Sequence, residues 1–173
     1  VYARRILGLE NLKPIGAPAG PAERGTAVHA AIEDFGDGDD PRTLSDLLDE
    51  KLRLAGISPE RRAAERERLN VSINALIAWF NERRGRAAEV YREKRGELVI
   101  GDVVLSGVAD RIEIAPNYAA ILDFKTGAPP SDKQVESGLS PQLLLEAAML
   151  EEGAFPDVPK REVSELIYWR FGG

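Results

Sequence analysis

The run Gly107-Val108-Ala109-Asp110-Arg111-Ile112-Glu113-Ile114, followed by Ile121-Leu122-Asp123-Phe124-Lys125-Thr126-Gly127, decides how this chain folds. Both runs read as strands, and Ala115-Pro116-Asn117-Tyr118 between them has turn chemistry, with Pro116 supplying the fixed φ that the second turn position favours. Side chains alternate faces along a strand, so Asp110 shares a face with Val108, Ile112 and Ile114. By the same rule Ile121, Asp123 and Lys125 share one face, and Leu122 and Phe124 the other. Each strand therefore sets an acid among core residues. Counting outward from Ala115 and Tyr118 in equal steps brings Asp110 opposite Asp123, with Cβ atoms on the order of 5 Å apart. Like charges repel at that spacing, and a cation between them removes the penalty. Two carboxylates favour a hard, oxygen-preferring ion such as Mg²⁺ or Mn²⁺.

Upstream of this hairpin the pattern is helical. Tyr2 to Leu7 reads as a short helix, and Lys13 to Pro21, rich in Pro and Gly, as a loop. Val28, Ile32 and Phe35 recur at helical spacing within a helix predicted over Glu23 to Phe35, ended by Gly36-Asp37-Gly38-Asp39-Asp40-Pro41. Leu44, Leu47, Leu48, Leu52 and Leu54 predict a third helix stopped near Gly56. Ser58-Pro59 then opens the longest one, whose stripe Leu69, Ile73, Leu76, Ile77 and Phe80 runs on to about Arg84. Past Gly85 come strand-like runs joined at Gly101-Asp102, the hairpin itself, a helix over Gln142 to Glu152 after Ser140-Pro141, and a last strand over Val163 to Phe171. Helices followed by an antiparallel meander, a helix and a strand specify a mixed α+β fold with a central mixed sheet. The expected organisation is one domain over residues 1–173, mainly helical over 1–86 and carrying the sheet and the metal site over 87–173. Val1 at the start and Phe171-Gly172-Gly173 directly after a strand give the look of a piece of a longer protein.

Composition narrows the chemistry. The 173 residues carry 23 Lys plus Arg against 29 Asp plus Glu, a formal charge of −6, which argues against a generic polyanion binder. The chain has no cysteine, so thiolate zinc sites, iron–sulfur clusters, disulfides and cysteine nucleophiles are excluded within it. No apolar run approaches the roughly 20 residues of a membrane span, so the expectation is no membrane partner and a cytoplasmic location. Phe124-Lys125-Thr126-Gly127 lacks the glycines a phosphate-binding loop places before its lysine, so no ATPase motif is present there. Charge is uneven: Glu33 to Glu50 is acidic, and Arg61 to Arg95 is basic, with Arg83 to Arg95 the better candidate for phosphate contact.

His29, the single histidine, lies in a stripe with Gly25 and Glu33 at four-residue spacing, where the glycine leaves room one turn before the imidazole. Gln142 stands at a helix start, where free backbone N–H groups favour an anion such as phosphate.

The ordered set Gly25-Thr26-Ala27-Val28-His29, Gly107-Val108-Ala109-Asp110-Arg111, Asp123-Phe124-Lys125-Thr126-Gly127 and Gln142-Leu143 resembles the RecB-like branch of the PD-(D/E)XK nucleases. It is most similar to the C-terminal nuclease domain of AddB-type subunits of helicase–nuclease complexes, and Glu165 to Arg170 also fits that group. The resemblance implies a restriction-endonuclease-like core and a metal-dependent deoxyribonuclease that hydrolyses phosphodiester bonds during double-strand-break repair and recombination. It implies that His29, Asp110, Asp123 and the backbone carbonyl of Phe124 ligate Mg²⁺ or Mn²⁺. Lys125 would orient or activate the attacking water, and Gln142 would position Lys125 or the DNA backbone. The implied partners are a single-stranded DNA end in a nuclease channel and an AddA-type helicase–nuclease subunit. Two departures stand out: Glu146 occupies a position where many relatives carry Tyr, and the four cysteines of the iron–sulfur cluster found in some AddB-type domains are missing. The alternative expectation is an inert nuclease-fold module that binds or channels DNA or mediates subunit contacts. Degenerate modules of that kind are expected to have lost Asp123 or Lys125, and both are present.

Overall fold

A computed structural model describes residues 20–36, 38 and 40–172. The helix expected over Tyr2 to Leu7 and the loop from Lys13 to Ala19 lie outside them. Three helices come first: α1 (Pro21–Phe35), α2 (Pro41–Leu54) and α3 (Pro59–Arg83). All three begin with proline at the first helical position, where the missing N–H costs nothing. The Glu23 carboxylate accepts from the Gly20 N–H at 2.7 Å to close the start of α1, and Asp40 caps α2 by accepting from Arg42 N–H at 3.0 Å. Ser58 makes no such side-chain cap. The α3 stripe expected from the sequence is buried, and it extends one turn further than the apolar pattern, to Arg83.

The sheet follows as β1 (Glu89–Ile100), β2 (Val103–Ala115) and β3 (Tyr118–Lys125), then helices α4 (Asp132–Glu136) and α5 (Gln142–Glu152), then β4 (Glu165–Arg170). Its order is β1-β2-β3-β4, antiparallel through the first three strands and parallel between β3 and β4. The expected mixed sheet is therefore present. The β1–β2 turn is made by Gly101 and Asp102, with Gly101 at φ 59°, a conformation that glycine takes without a Cβ penalty. Tyr118 pairs with Ala115, as the turn at Pro116 predicts, and the register runs on to Arg111 opposite Leu122. The sequence expectation missed only the five-residue α4, which is too short to show periodicity.

Two apolar clusters sandwich the sheet. One joins α1, α2 and α3 to Phe124 and Phe171, and the other joins α5 to Ile112, Ile114, Ile121 and Phe155. Asp123 and Phe124 are consecutive, so β3 presents one to each layer. The burial of β2 fades toward the Gly101-Asp102 turn, and Val108 is 41% exposed. Gly96 in β1 lies against the second cluster, where an added Cβ would stand 2.7 Å from the Phe155 ring and 2.9 Å from Met149 Cε. Gly96→Ala is therefore expected to cost about 1–3 kcal/mol by overpacking, read from the shift of the urea denaturation midpoint.

The expectation that Arg83 to Arg95 contacts phosphate requires a correction at Arg83. Arg83 is buried: Nη1 donates to Glu165 at 2.9 Å, while Nε and Nη2 donate to Glu113 at 3.2 and 3.1 Å. Arg111 Nε donates to the other Glu113 oxygen at 2.9 Å, and the Tyr118 hydroxyl reaches Glu165 at 3.2 Å. The two guanidinium groups also lie over aromatic rings, Arg83 over Trp79 and Arg111 over Phe80, each 4.5 Å from the centroid. Arg83 fastens α3 to the sheet and is committed to that task, so it cannot meet phosphate. Among the described residues, no helix is long and apolar enough to cross a membrane.

Candidate metal centre and nuclease site

The site forms where β3 ends beside the middle of β2, between α1 and α5. His29 projects from α1 toward β2, with Nδ1 3.4 Å from Asp110 Oδ2. The same Asp110 oxygen accepts from the Phe124 backbone N–H at 2.7 Å, which pins the carboxylate to β3. Equal steps outward from Ile100 and Val103 bring Glu93 opposite Asp110, and at Glu93 the backbone leaves the ladder with φ 46°. Ligand atoms of His29, Glu93 and Asp110 all lie within 4.8 Å of one another. They surround a cavity of about 10 Å³, also lined by Glu33, Arg92, Arg111 and Phe124, which is space for one ion or water.

Across Asp110 lies the second half of the site. Asp123 is 2% exposed, its Oδ1 accepting from Lys125 Nζ at 2.8 Å and from Gln142 Nε2 at 2.5 Å. The Gln142 Oε1 accepts from Lys125 Nζ at 2.9 Å, and Nε2 also donates to Glu146 at 3.2 Å. Gln142 thus turns its donor end to two carboxylates and its acceptor end to the lysine, the one orientation of the amide that satisfies all three. Gly25 supports the same corner, since a Cβ there would stand 3.4 Å from Thr126 Oγ1, directly after the lysine.

Electrostatics follow from crowding acids in a half-dry pocket. Burial, with Asp110 close by, holds Asp123 above the usual carboxylate range, against the opposing pull of Lys125. Burial, Asp110 and Glu33 do the same to Glu93. Glu146 is pushed up to about 7, chiefly by burial and then by Asp123 and Asp110. His29 is raised by its hydrogen bond and charge interaction with Asp110 and by the Phe124 main chain, with burial opposing. In all four groups the folded state holds protons more tightly than the unfolded chain, so the ion-free protein loses stability as pH rises. For the carboxylates the loss starts above their unfolded values, 3.8 for Asp123 and 4.5 for Glu93 and Glu146, and for Glu146 it runs to about 7. For His29 it begins above 6.5 and continues through its raised folded value. The midpoint of thermal unfolding is therefore expected to be higher at pH 5.5 than at pH 8 without divalent ions. Saturating Mg²⁺ is expected to recover part of the difference at pH 8.

The donor set suits a hard divalent ion: the imidazole of His29, the carboxylates of Glu93 and Asp110, and a cavity of ionic size between them, which Asp123 does not line. The structure places the site residues predicted from sequence in two adjoining groups, and Asp123 lies outside the one formed by His29, Glu93 and Asp110. His29 meets Asp110 on one side, Lys125 and Gln142 meet Asp123 on the other, and Phe124 joins the two through its backbone. Glu93 was missed, although the Gly101-Asp102 turn sets the register that aligns it with Asp110.

The model of the PD-(D/E)XK nuclease superfamily matches residues 2–173. The chain belongs to the PD-(D/E)XK nuclease superfamily. Its mixed sheet flanked by helices is consistent with that fold, whose members are usually nucleases and generally use Mg²⁺ or a similar ion. Proteins of Rickettsia felis and Rickettsia conorii, each described only as an uncharacterized protein, are 34% identical over 170 residues, covering 89% of this chain and 20% of theirs. An uncharacterized protein of Rickettsia bellii is 30% identical over 166 residues with the same coverage. This PD-(D/E)XK chain thus spans about a fifth of the length of the relatives it matches. The crystal structure of protein VC1899 from Vibrio cholerae aligns over 88% of this chain and 44% of its own, at 11% identity and a TM-score of 0.35. That likeness is too slight to carry an argument.

Proposed function

We propose that this PD-(D/E)XK chain is the nuclease domain of a larger helicase–nuclease of the AddB type, hydrolysing phosphodiester bonds of single-stranded DNA in double-strand-break repair. The observation that supports it most is the convergence of Asp110, Asp123, Lys125 and Gln142 at one sheet end, beside His29 and Glu93. His29, Glu93, Asp110, Asp123 and the Phe124 carbonyl would hold Mg²⁺ or Mn²⁺. Such an ion lowers the pKa of a bound water and stabilises charge developing on the phosphoryl oxygens. Lys125 is aimed by Asp123 and Gln142, which keep its ammonium where an attacked phosphate and its water would lie. The motor and an AddA-type partner would supply the positive surface that a formal charge of −6 leaves out.

The test is cleavage of labelled single-stranded DNA by the wild-type chain and by Asp123→Ala, with Mg²⁺, with Mn²⁺ and with chelator. Ion-dependent cleavage by the wild type alone is expected. Equal cleavage by both proteins, or none by either in the complete complex, contradicts the reading and favours an inert DNA-binding module.

A further inference from the structure

The β1–β2 hairpin ends in apolar residues that the nuclease site does not use. β2 pairs with β3 only over residues 111–115, whereas its pairing with β1 runs on until Ile100 faces Val103. Beyond Gly96 and Gly107 the two strands therefore continue as a two-stranded ribbon, closed by Gly101 and Asp102. Val99 and Ile100 are 68% and 59% exposed, and Val103 and Val104 are 65% and 60% exposed. Val99 pairs with Val104 and Ile100 with Val103, so alternation turns one pair to each face of the ribbon. A ribbon that ends in water keeps at least one face polar, and this tip is apolar on both. Leu98 and Leu105, one step inward, are partly buried against the second core cluster, so the tip alone stands clear.

A bare tip of this kind is a liability. The run from Leu98 to Leu105 is rich in β-branched residues and carries one charge, Asp102. Past Glu97 neither outer edge of the ribbon is paired in the sheet, which is the composition and geometry of a segment that self-associates when uncovered.

Charge, area and chain length separate the occupants that could cover it. No Lys or Arg lies between Leu98 and Leu105, so DNA has no cation to meet there. The exposed tip side chains present on the order of 400 Å², enough to mark an interaction site. That is about half of the roughly 800 Å² that each partner buries in a stable complex of separate chains. A second copy or a separate subunit therefore gains too little from this surface by itself. A segment of the same polypeptide needs far less contact, because covalent linkage supplies an effective concentration of about millimolar. Similar proteins have such segments to offer: the match covers 20% of the Rickettsia felis and Rickettsia conorii proteins and leaves the rest of their length outside it.

We propose that the tip of the β1–β2 ribbon inserts into an apolar cleft formed by the same polypeptide outside residues 1–173. Two apolar faces require two walls, one against Val99 and Val104 and the other against Ile100 and Val103, since a flat surface would leave one pair in water. Val104 shares its face of β2 with Asp110, so one wall stands on the metal side of the sheet and ties the orientation of the nuclease site to the rest of the polypeptide. This docking rests on the chain being one domain of a larger protein, as proposed above, and not on whether its site cleaves DNA.

The experiment uses the complete polypeptide with the photo-crosslinking residue benzoylphenylalanine at Val104, and in a second preparation at Ile100, in the presence of single-stranded DNA. After irradiation, crosslinked tryptic peptides are identified by mass spectrometry. The expected product keeps the mass of one polypeptide and joins the ribbon to a segment outside residues 1–173, from both positions. Crosslinks confined to residues 1–173, a doubled mass from a second copy, an adduct with DNA or with a copurifying subunit, or no crosslink overturns the docking. Ile100→Asp in the complete polypeptide, its folding verified by a thermal scan, is expected to make amide hydrogen exchange about tenfold faster in the crosslinked segment. Unchanged exchange there also overturns it. A complete polypeptide no longer than this chain overturns the docking and the larger-protein reading together, whereas loss of cleavage in Asp123→Ala bears on the nuclease site alone.

Discussion

Replacement of Asp110 by Asn is expected to lower DNA cleavage by about a thousandfold, equivalent to several kcal/mol of lost transition-state stabilisation. The position is central because one carboxylate oxygen serves three neighbours. It lies 3.4 Å from His29 Nδ1, accepts from the Phe124 N–H at 2.7 Å, and shares a cavity with Glu93. Asn keeps the shape and an oxygen for the Phe124 N–H, so the β2–β3 junction is expected to survive. The charge that draws a cation between His29 and Glu93 is lost. Single-turnover cleavage and Mn²⁺ calorimetry are expected to fail together. Cleavage within tenfold of wild type would exclude Asp110 from the chemistry.

The largest effect on stability is expected at Arg83. Arg83→Met removes two donors from Glu113 and one from Glu165, and Glu113 is 1% exposed. Arg111 remains beside Glu113, but the partner that crosses from α3 is gone. Breaking one side of a buried ion pair costs about 3–5 kcal/mol, because the remaining charge stays buried. Urea denaturation is expected to show a loss of that size, and adding Glu113→Gln to Arg83→Met is expected to restore a large part of it. A single-variant cost under about 1 kcal/mol would mean that Glu113 has water or another partner to turn to.

How much of this was legible beforehand depended on the range of the interaction. The register that sets Arg111 opposite Leu122, one step from Asp110 and Asp123, followed from one local turn, since Pro116 fixes where the chain reverses. The helix bounds were legible for the same reason, as Pro21, Pro41 and Pro59 mark helix starts within their own sequence. Glu93 needed a second turn, at Gly101-Asp102, to be aligned with the first. Arg83 was misread because its partners Glu113 and Glu165 lie 30 and 82 residues away, and nothing nearby distinguishes a buried arginine from a surface one. Glu146 stood out in the sequence only as a departure from the Tyr that many relatives carry there. Its burial comes from the packing of α5 on the sheet, which the α5 sequence by itself does not encode.

The opening charge balance also acquires a location. Part of the acidic excess is concentrated around the site, on β1, β3 and α5, in side chains whose protonation is favoured by burial and by neighbouring acids. Such an arrangement is costly for an ion-free fold and favourable for a cation-binding one.

The most direct measurement is the anomalous scattering of a crystal of the protein soaked in Mn²⁺. The account predicts a peak in the cavity bounded by His29, Glu93 and Asp110, with density reaching the Asp110 carboxylate and the His29 imidazole. A soaked crystal with no anomalous peak at that cavity, its side chains arranged as they are without the ion, would contradict it.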